Sequence, residues 1–123
     1  MTYQYFAVVN RVVDGDTLDV SVDLGFSIHA KTLLRMEGIN APELHGVSAE
    51  ESLAGRAAKE YLESLVGGKK VRVTTAKAKE KYGRYMATVW LIGSGLQKSS
   101  VNQMMVEAGH AKVWDGKGEK PTV

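Results

Sequence analysis

The stretch from Phe6 to Ile39, FAVVNRVVDGDTLDVSVDLGFSIHAKTLLRMEGI, decides the fold class, because it reads as a run of strands separated by turn signals. FAVVNRVV (6–13), TLDVSVDL (17–24) and IHAKTLLRMEGI (28–39) each read as a strand, with Leu18, Val20, Val22 and Leu24 alternating along the second. Asp14-Gly15 is a common hairpin-turn pair and Gly25-Phe26-Ser27 supplies the next turn, so the three strands are expected as a meander.

Beyond this stretch the pattern changes. Pro42 lacks a backbone donor and restricts Ala41, which predicts a loop after the third strand. Ser48 with Glu51 three residues on reads as a capping box, and Leu53, Ala57, Tyr61, Leu62 and Leu65 follow at helical spacing until Gly67-Gly68. Two further strands, KVRVTTAK (70–77) and RYMATVWLI (84–92), flank the charged segment AKEKYG, and Gly93-Ser94-Gly95 turns the chain. A second short helix is expected from Ser99 or Ser100 to Ala108, with Val101, Met104, Met105 and Ala108 inward and Gly109 as its cap.

The resulting expectation is a mainly β fold with α (α+β). It is a five-stranded OB-type barrel with one helix between strands three and four and a second near the C-terminus. Residues 1–114 form the single domain expected of a 123-residue chain, and 115–123 are expected to be a flexible tail.

Bulk properties exclude more than they identify. Hydrophobic residues make up 44% and charged residues 24%, as in an ordinary soluble domain. A net charge of +2 permits an anionic partner without requiring one. With no cysteine, disulfides, thiolate catalysis and Cys-ligated zinc are ruled out, and His29, His45 and His110 have no metal-ligand spacing. No basic leader or long apolar segment opens the chain, which predicts a cytoplasmic protein, with release by lysis as a second route, and no membrane partner.

Three strings, VVDGDTLDV, LLRMEGINAPE and EKYGRYMATVW, occur in the order and spacing of staphylococcal-nuclease-like proteins, and NQMMVEAGHAKV resembles that family's second-helix region. The resemblance runs from about Val8 to Val113. It implies a thermonuclease-type phosphodiesterase that cuts DNA or RNA and leaves 3′-phosphate products; nothing in the sequence resembles a base-edge reader, and single-stranded or flexible substrate is expected where the pocket demands a bent backbone. A monomer is expected.

Phosphodiester hydrolysis needs an activated water and cationic groups on the phosphoryl oxygens. Asp16 offers a hard carboxylate oxygen suited to calcium or another divalent ion such as magnesium, and Arg35 and Arg84 offer planar donor forks. By resemblance, Asp16 is the metal aspartate, Arg35 and Arg84 bind phosphate, and Glu43 orients or deprotonates the water.

Asn40 stands where the family carries a second metal-binding aspartate, so the expected site holds its ion through Asp16, the Asn40 amide oxygen and the Ala41 carbonyl with reduced charge. A strand-end Asx turn is the other reading of Asn40. Asp14 either orients metal-bound water or serves the turn. Lys81 and Tyr82 are expected beside the substrate phosphate. Trp114 is a candidate for base stacking or rim packing, because the family's aromatic pair is not matched at Asp115 and Lys117. A non-catalytic OB-fold module that binds nucleic acid or protein is the alternative to the enzyme.

Overall fold

The computed structural model describes residues 2–79, 84–93 and 99–114. Five strands close into a barrel in the order β1-β2-β3-β6-β5. They are β1 (Thr2–Asp14), β2 (Thr17–Asp23), β3 (His29–Met36), β5 (Lys70–Lys79) and β6 (Tyr85–Leu91), with α1 (Ala49–Val66) and α2 (Val101–Glu107) packed on them. The expected OB-type architecture is therefore present. The expected third strand is split: Gly38 turns the chain at φ +82°, and β4 (Ile39–Asn40) leaves the barrel to pair with β7 (Lys112–Val113). The expected tail, 115–123, lies outside the described residues.

Closure depends on β1, which pairs antiparallel with both β2 and β5. Its register slips between Val9 and Arg11 and again between Val12 and Asp14. Such irregularities bend a strand and raise its twist, which lets one long strand serve two neighbours. Val9, Leu18, Val20, Val71 and Val89 point inward with no exposed surface, so the period-2 pattern becomes the barrel core. Among the described residues no helix is long and apolar enough to cross a membrane.

The helix α1 starts as expected, with the Ser48 side chain accepting from the Glu51 N–H at 3.2 Å. The inward face differs. Gly55, Ala58, Leu62 and Val66 are buried, whereas Leu53 is 65% exposed and Ala57 faces solvent. The reason is proximity: a Cβ on Gly55 would lie 2.5 Å from the Glu43 carbonyl oxygen, so the helix approaches the loop where only glycine fits. Gly15 does the same beneath the site, since a Cβ there would meet the Cβ atoms of Ala41 and Ala58 at 2.7 and 2.8 Å.

The second helix is oriented by a polar residue. Asn102, 5% exposed, accepts from the Val89 N–H at 3.0 Å and donates to the carbonyls of Glu37 and Ala87 at 2.8 and 3.1 Å. It thereby ties α2 to β6 and to the turn that releases β4. Val101 and Met105 are buried as expected, but Met104 is half-buried and Ala108 exposed.

Candidate active site

The β1–β2 turn and the end of β3 meet at a buried polar cluster. Asp16, Arg35 and Asn40 are 7%, 6% and 4% exposed. Asp16 Oδ2 accepts from the Ala41 N–H at 2.9 Å and lies 3.3 Å from Arg35 Nη1. Oδ1 accepts from the Thr17 hydroxyl at 3.1 Å. The Asp16 backbone carbonyl takes the Met36 N–H at 2.8 Å, locking the turn to β3. A charged pair this buried is tolerated only when its remaining donors and acceptors are also engaged.

Arg35 meets that requirement. Nη1 donates to the Met36 carbonyl at 3.0 Å, and Nη2 reaches Asn40 Oδ1 at 3.5 Å, a long contact. The end-on edge of the guanidinium is thus committed to the protein. Its side-on edge, Nε with the second Nη2 hydrogen, makes no hydrogen bond to the described residues and has the fork geometry that matches a phosphate.

Asp14 sits behind Asp16 and accepts from the Asp16 N–H at 3.1 Å. Burial, helped by the neighbouring Asp16 side chain and its charge, pushes the Asp14 carboxyl up from 3.8 to about 7. Because the folded value lies above the unfolded one, the folded state holds the extra proton between about pH 4 and 7, and stability falls as pH rises through that window. Asp14→Asn keeps the acceptor and removes the charge. It is expected to stabilise the protein at pH 8 by on the order of 1–2 kcal/mol, discounted for partial exposure, and by little at pH 4. Urea unfolding at the two pH values measures this, and an equal effect at both would sink it.

Glu43 lies two residues beyond Ala41, on an exposed loop that begins at buried Pro42. Its backbone N–H donates to Glu51 Oε2 at 3.2 Å. The capping-box glutamate of α1 therefore holds the Glu43 loop instead of closing back on Ser48, and the Ser52 hydroxyl donates to the Leu44 carbonyl at 2.9 Å to fix the same loop. Arg84 directly precedes β6, where Tyr85 pairs with Leu34 and Met86 with Arg35, so its backbone lies beside the end of β3 that carries Arg35. Trp114 is half-buried, and its backbone N–H donates to the Gly38 carbonyl at 2.8 Å, beside β4. Lys81 and Tyr82 lie outside the described residues.

Asp14, Asp16, Arg35, Asn40 and Ala41 thus converge. Among the described residues no group of three or more His, Cys, Asp or Glu could hold a metal. The oxygens of Asp16 and Asn40 are hard donors of the right kind for calcium or magnesium, with only Asp16 contributing a full charge in the first rank. Sequence reasoning missed Gly15, Gly55 and Glu51 as positioning residues. His45 is exposed, and His110 stacks on Tyr61 with centroids 4.8 Å apart.

Fold and site together define an OB-type barrel whose strand ends gather an aspartate, an asparagine and a buried arginine beside a loop glutamate. The chain belongs to the staphylococcal nuclease homologue family, whose model matches residues 33–122. It is 33% identical over 115 residues to an "Uncharacterized endonuclease" of Escherichia coli O157:H7, covering 94% of this chain and 65% of that protein. It is 32% identical to "Endonuclease YhcR" of Bacillus subtilis (strain 168), covering 90% of this chain and 9% of the relative. A "Thermonuclease" of Staphylococcus hyicus is 31% identical, with 85% and 56% covered. The chain spans less than two thirds of the length of each of these curated relatives.

Proposed function

We propose that this chain is a nuclease that hydrolyses the phosphodiester backbone of DNA or RNA with little regard for base identity. The observation that carries the reading is the buried contact of Asp16, Arg35 and Asn40, with Glu43 three residues beyond Asn40 in the chain and Arg84 directly before β6. The names of the relatives support the same reading.

Asp16, the Asn40 amide oxygen and the Ala41 carbonyl would hold a divalent cation, calcium first and magnesium as the alternative. Such an ion, when bound, supplies Lewis-acid polarisation of a phosphoryl oxygen. Arg35 presents its side-on edge to one phosphate oxygen pair, already aimed because its other edge is fixed by Asp16 and the Met36 carbonyl. Arg84 approaches the same phosphate from the start of β6, and together the arginines stabilise the charge of the five-coordinate phosphorus. Glu43, exposed and held at its backbone by Glu51, takes the proton of the attacking water. Lys81 and Tyr82 steer and position the backbone, Trp114 offers an aromatic face at the β4 turn, and products carry a 3′-phosphate. Flexible single strands suit a pocket that needs a bent backbone, and the protein acts as a monomer.

The test is cleavage of denatured DNA and of RNA by purified protein with calcium, with magnesium and with chelator, against Glu43→Ala. Cleavage that vanishes in the variant supports the enzyme. Binding without cleavage under every metal gives the chain to a non-catalytic module.

Asn40 sets the metal prediction. Asn40→Asp restores a second carboxylate beside Asp16 and is expected to tighten calcium binding about tenfold, since ligand charge count governs divalent affinity. Calorimetric titration measures it without reference to activity. Equal affinity in the two proteins would remove charge at this position as the limiting factor.

A further inference from the structure

Outside the cluster just described, the outer wall of the barrel carries an ordered set of cations and aromatic rings. Lys70 Nζ lies 5.0 Å from the centroid of Phe6, and the Arg72 guanidinium carbon lies 5.1 Å from that of Trp90. The register explains the order. Phe6 on β1 pairs with Arg72 on β5, which pairs with Trp90 on β6; one step along, Val8 pairs with Lys70. All of these side chains point away from the core, so they form adjoining rows on one face. Phe6 is 46% exposed and Val8 43%, Lys70 is exposed, and Arg72 and Trp90 are half-buried.

We propose that this face of β1, β5 and β6 is a second binding surface for single-stranded nucleic acid, which holds the strand outside the cleavage site. The inference rests on the nuclease reading for the identity of the polymer. Three features point to that occupant.

Lys70 and Arg72 alternate on β5 and so stand about 7 Å apart, a spacing comparable to that of successive phosphates on an extended strand. Each is held against a ring, which orders the cation while leaving its other side to an incoming anion. Aromatic side chains interleaved with cations are also the equipment for sequence-tolerant binding of single strands.

The face is continuous with the cleavage site. On β6 the alternate residues Met86, Thr88 and Trp90 share the outer side, and Arg84 directly precedes the strand, about 20 Å of extended chain from Trp90. A strand whose phosphate sits at Arg84 reaches Arg72 and Trp90 only if it is several nucleotides long. Asp23, which pairs with Phe6 on the other side, bounds the face with negative charge; its carboxylate accepts from the Gly25 N–H at 2.8 Å.

The experiment uses the full chain with Glu43→Ala, so that bound strands are not cut, and labelled oligothymidylates of about four and about sixteen nucleotides. Lys70→Gln with Arg72→Gln should weaken binding of the longer strand about tenfold and lower its salt slope by about one. The shorter strand should change less than twofold, and Lys70→Arg, which keeps the charge, should bind the longer strand as the parent does.

The chain has two tryptophans, so Trp114→Phe isolates Trp90, whose emission should be quenched by the longer strand and not by the shorter. Equal losses for both lengths, or none for the longer, would overturn the proposal while leaving the nuclease reading in place. A dimer dissolved by the same two substitutions would give the face to a second copy and likewise overturn it. Failure of the parent protein to bind either strand would instead remove the nuclease reading on which the proposal rests.

Discussion

Lysine in place of Arg35 is expected to lower kcat/KM on a single-stranded substrate by about 10²- to 10³-fold while the protein remains folded. Arg35 performs four tasks from one planar group. It neutralises buried Asp16, donates to the Met36 carbonyl, reaches Asn40 Oδ1 and, on the proposed nuclease reading, leaves its side-on edge for phosphate. An ammonium keeps the charge beside Asp16 but cannot present a second fork once it has turned toward that carboxylate. The loss should therefore fall mainly on the chemical step. Arg35→Met separates charge from fork: it strands the Asp16 carboxylate, 7% exposed, and should cost about 3–5 kcal/mol of stability. Steady-state cleavage and urea unfolding of both variants distinguish the roles, and a lysine variant with wild-type kcat/KM would refute the fork.

What the sequence disclosed follows from what its patterns measure. Alternation of Leu18, Val20 and Val22 reports which side of a strand is apolar, and that survives unchanged into the barrel core. The DGDT and RMEGINAPE strings likewise marked Asp16, Arg35 and Asn40, which the fold brings together because they lie at strand ends where the chain path fixes them.

The helix faces were less legible. Periodicity of large apolar residues favoured Leu53 and Ala57, yet the face that packs inward is chosen by Gly55 and Ala58, the residues small enough for backbone to meet backbone. Asn102 escaped notice for a related reason. Its value lies in three hydrogen bonds to main-chain groups of β6 and the β3–β4 turn, and nothing in local spacing reveals such partners. The split of the third strand turned on Gly38, whose φ of +82° ends β3 although the apolar pattern runs on to Ile39.

Two chains of contact converge on the loop that carries Glu43, and they differ in kind. From the barrel side, Asp16 holds Ala41 by a hydrogen bond, and Gly15 lets Ala41 and Ala58 close over the turn. From the helix side, Glu51 holds the Glu43 N–H while Gly55 lies against the carbonyls of Pro42 and Glu43. The loop is therefore clamped between turn and helix, and Glu43 owes its position to α1 as much as to β3.

Gly55→Ala tests that clamp and should have the second largest effect. The added Cβ would lie 2.5 Å from the Glu43 carbonyl oxygen and 2.9 Å from that of Pro42, both backbone atoms with no flexible end to swing aside. Either the helix moves out, opening the packing of Ala58 and Leu62, or the loop moves, carrying Glu43 with it. Overpacking of this kind costs about 1–3 kcal/mol, and displacing a catalytic group by about 1 Å can cost 10²-fold in rate. A stability loss of about 2 kcal/mol with a fall in kcat of about 10²-fold is therefore expected, measured at a temperature where the variant is still folded. Leu53→Ala, on the exposed side of the same helix, should change stability by less than about 0.5 kcal/mol and leave kcat alone. If Gly55→Ala lost stability but kept full kcat, α1 would support the fold without positioning Glu43, and the placement of that carboxylate would rest on Ala41 and Asp16 alone.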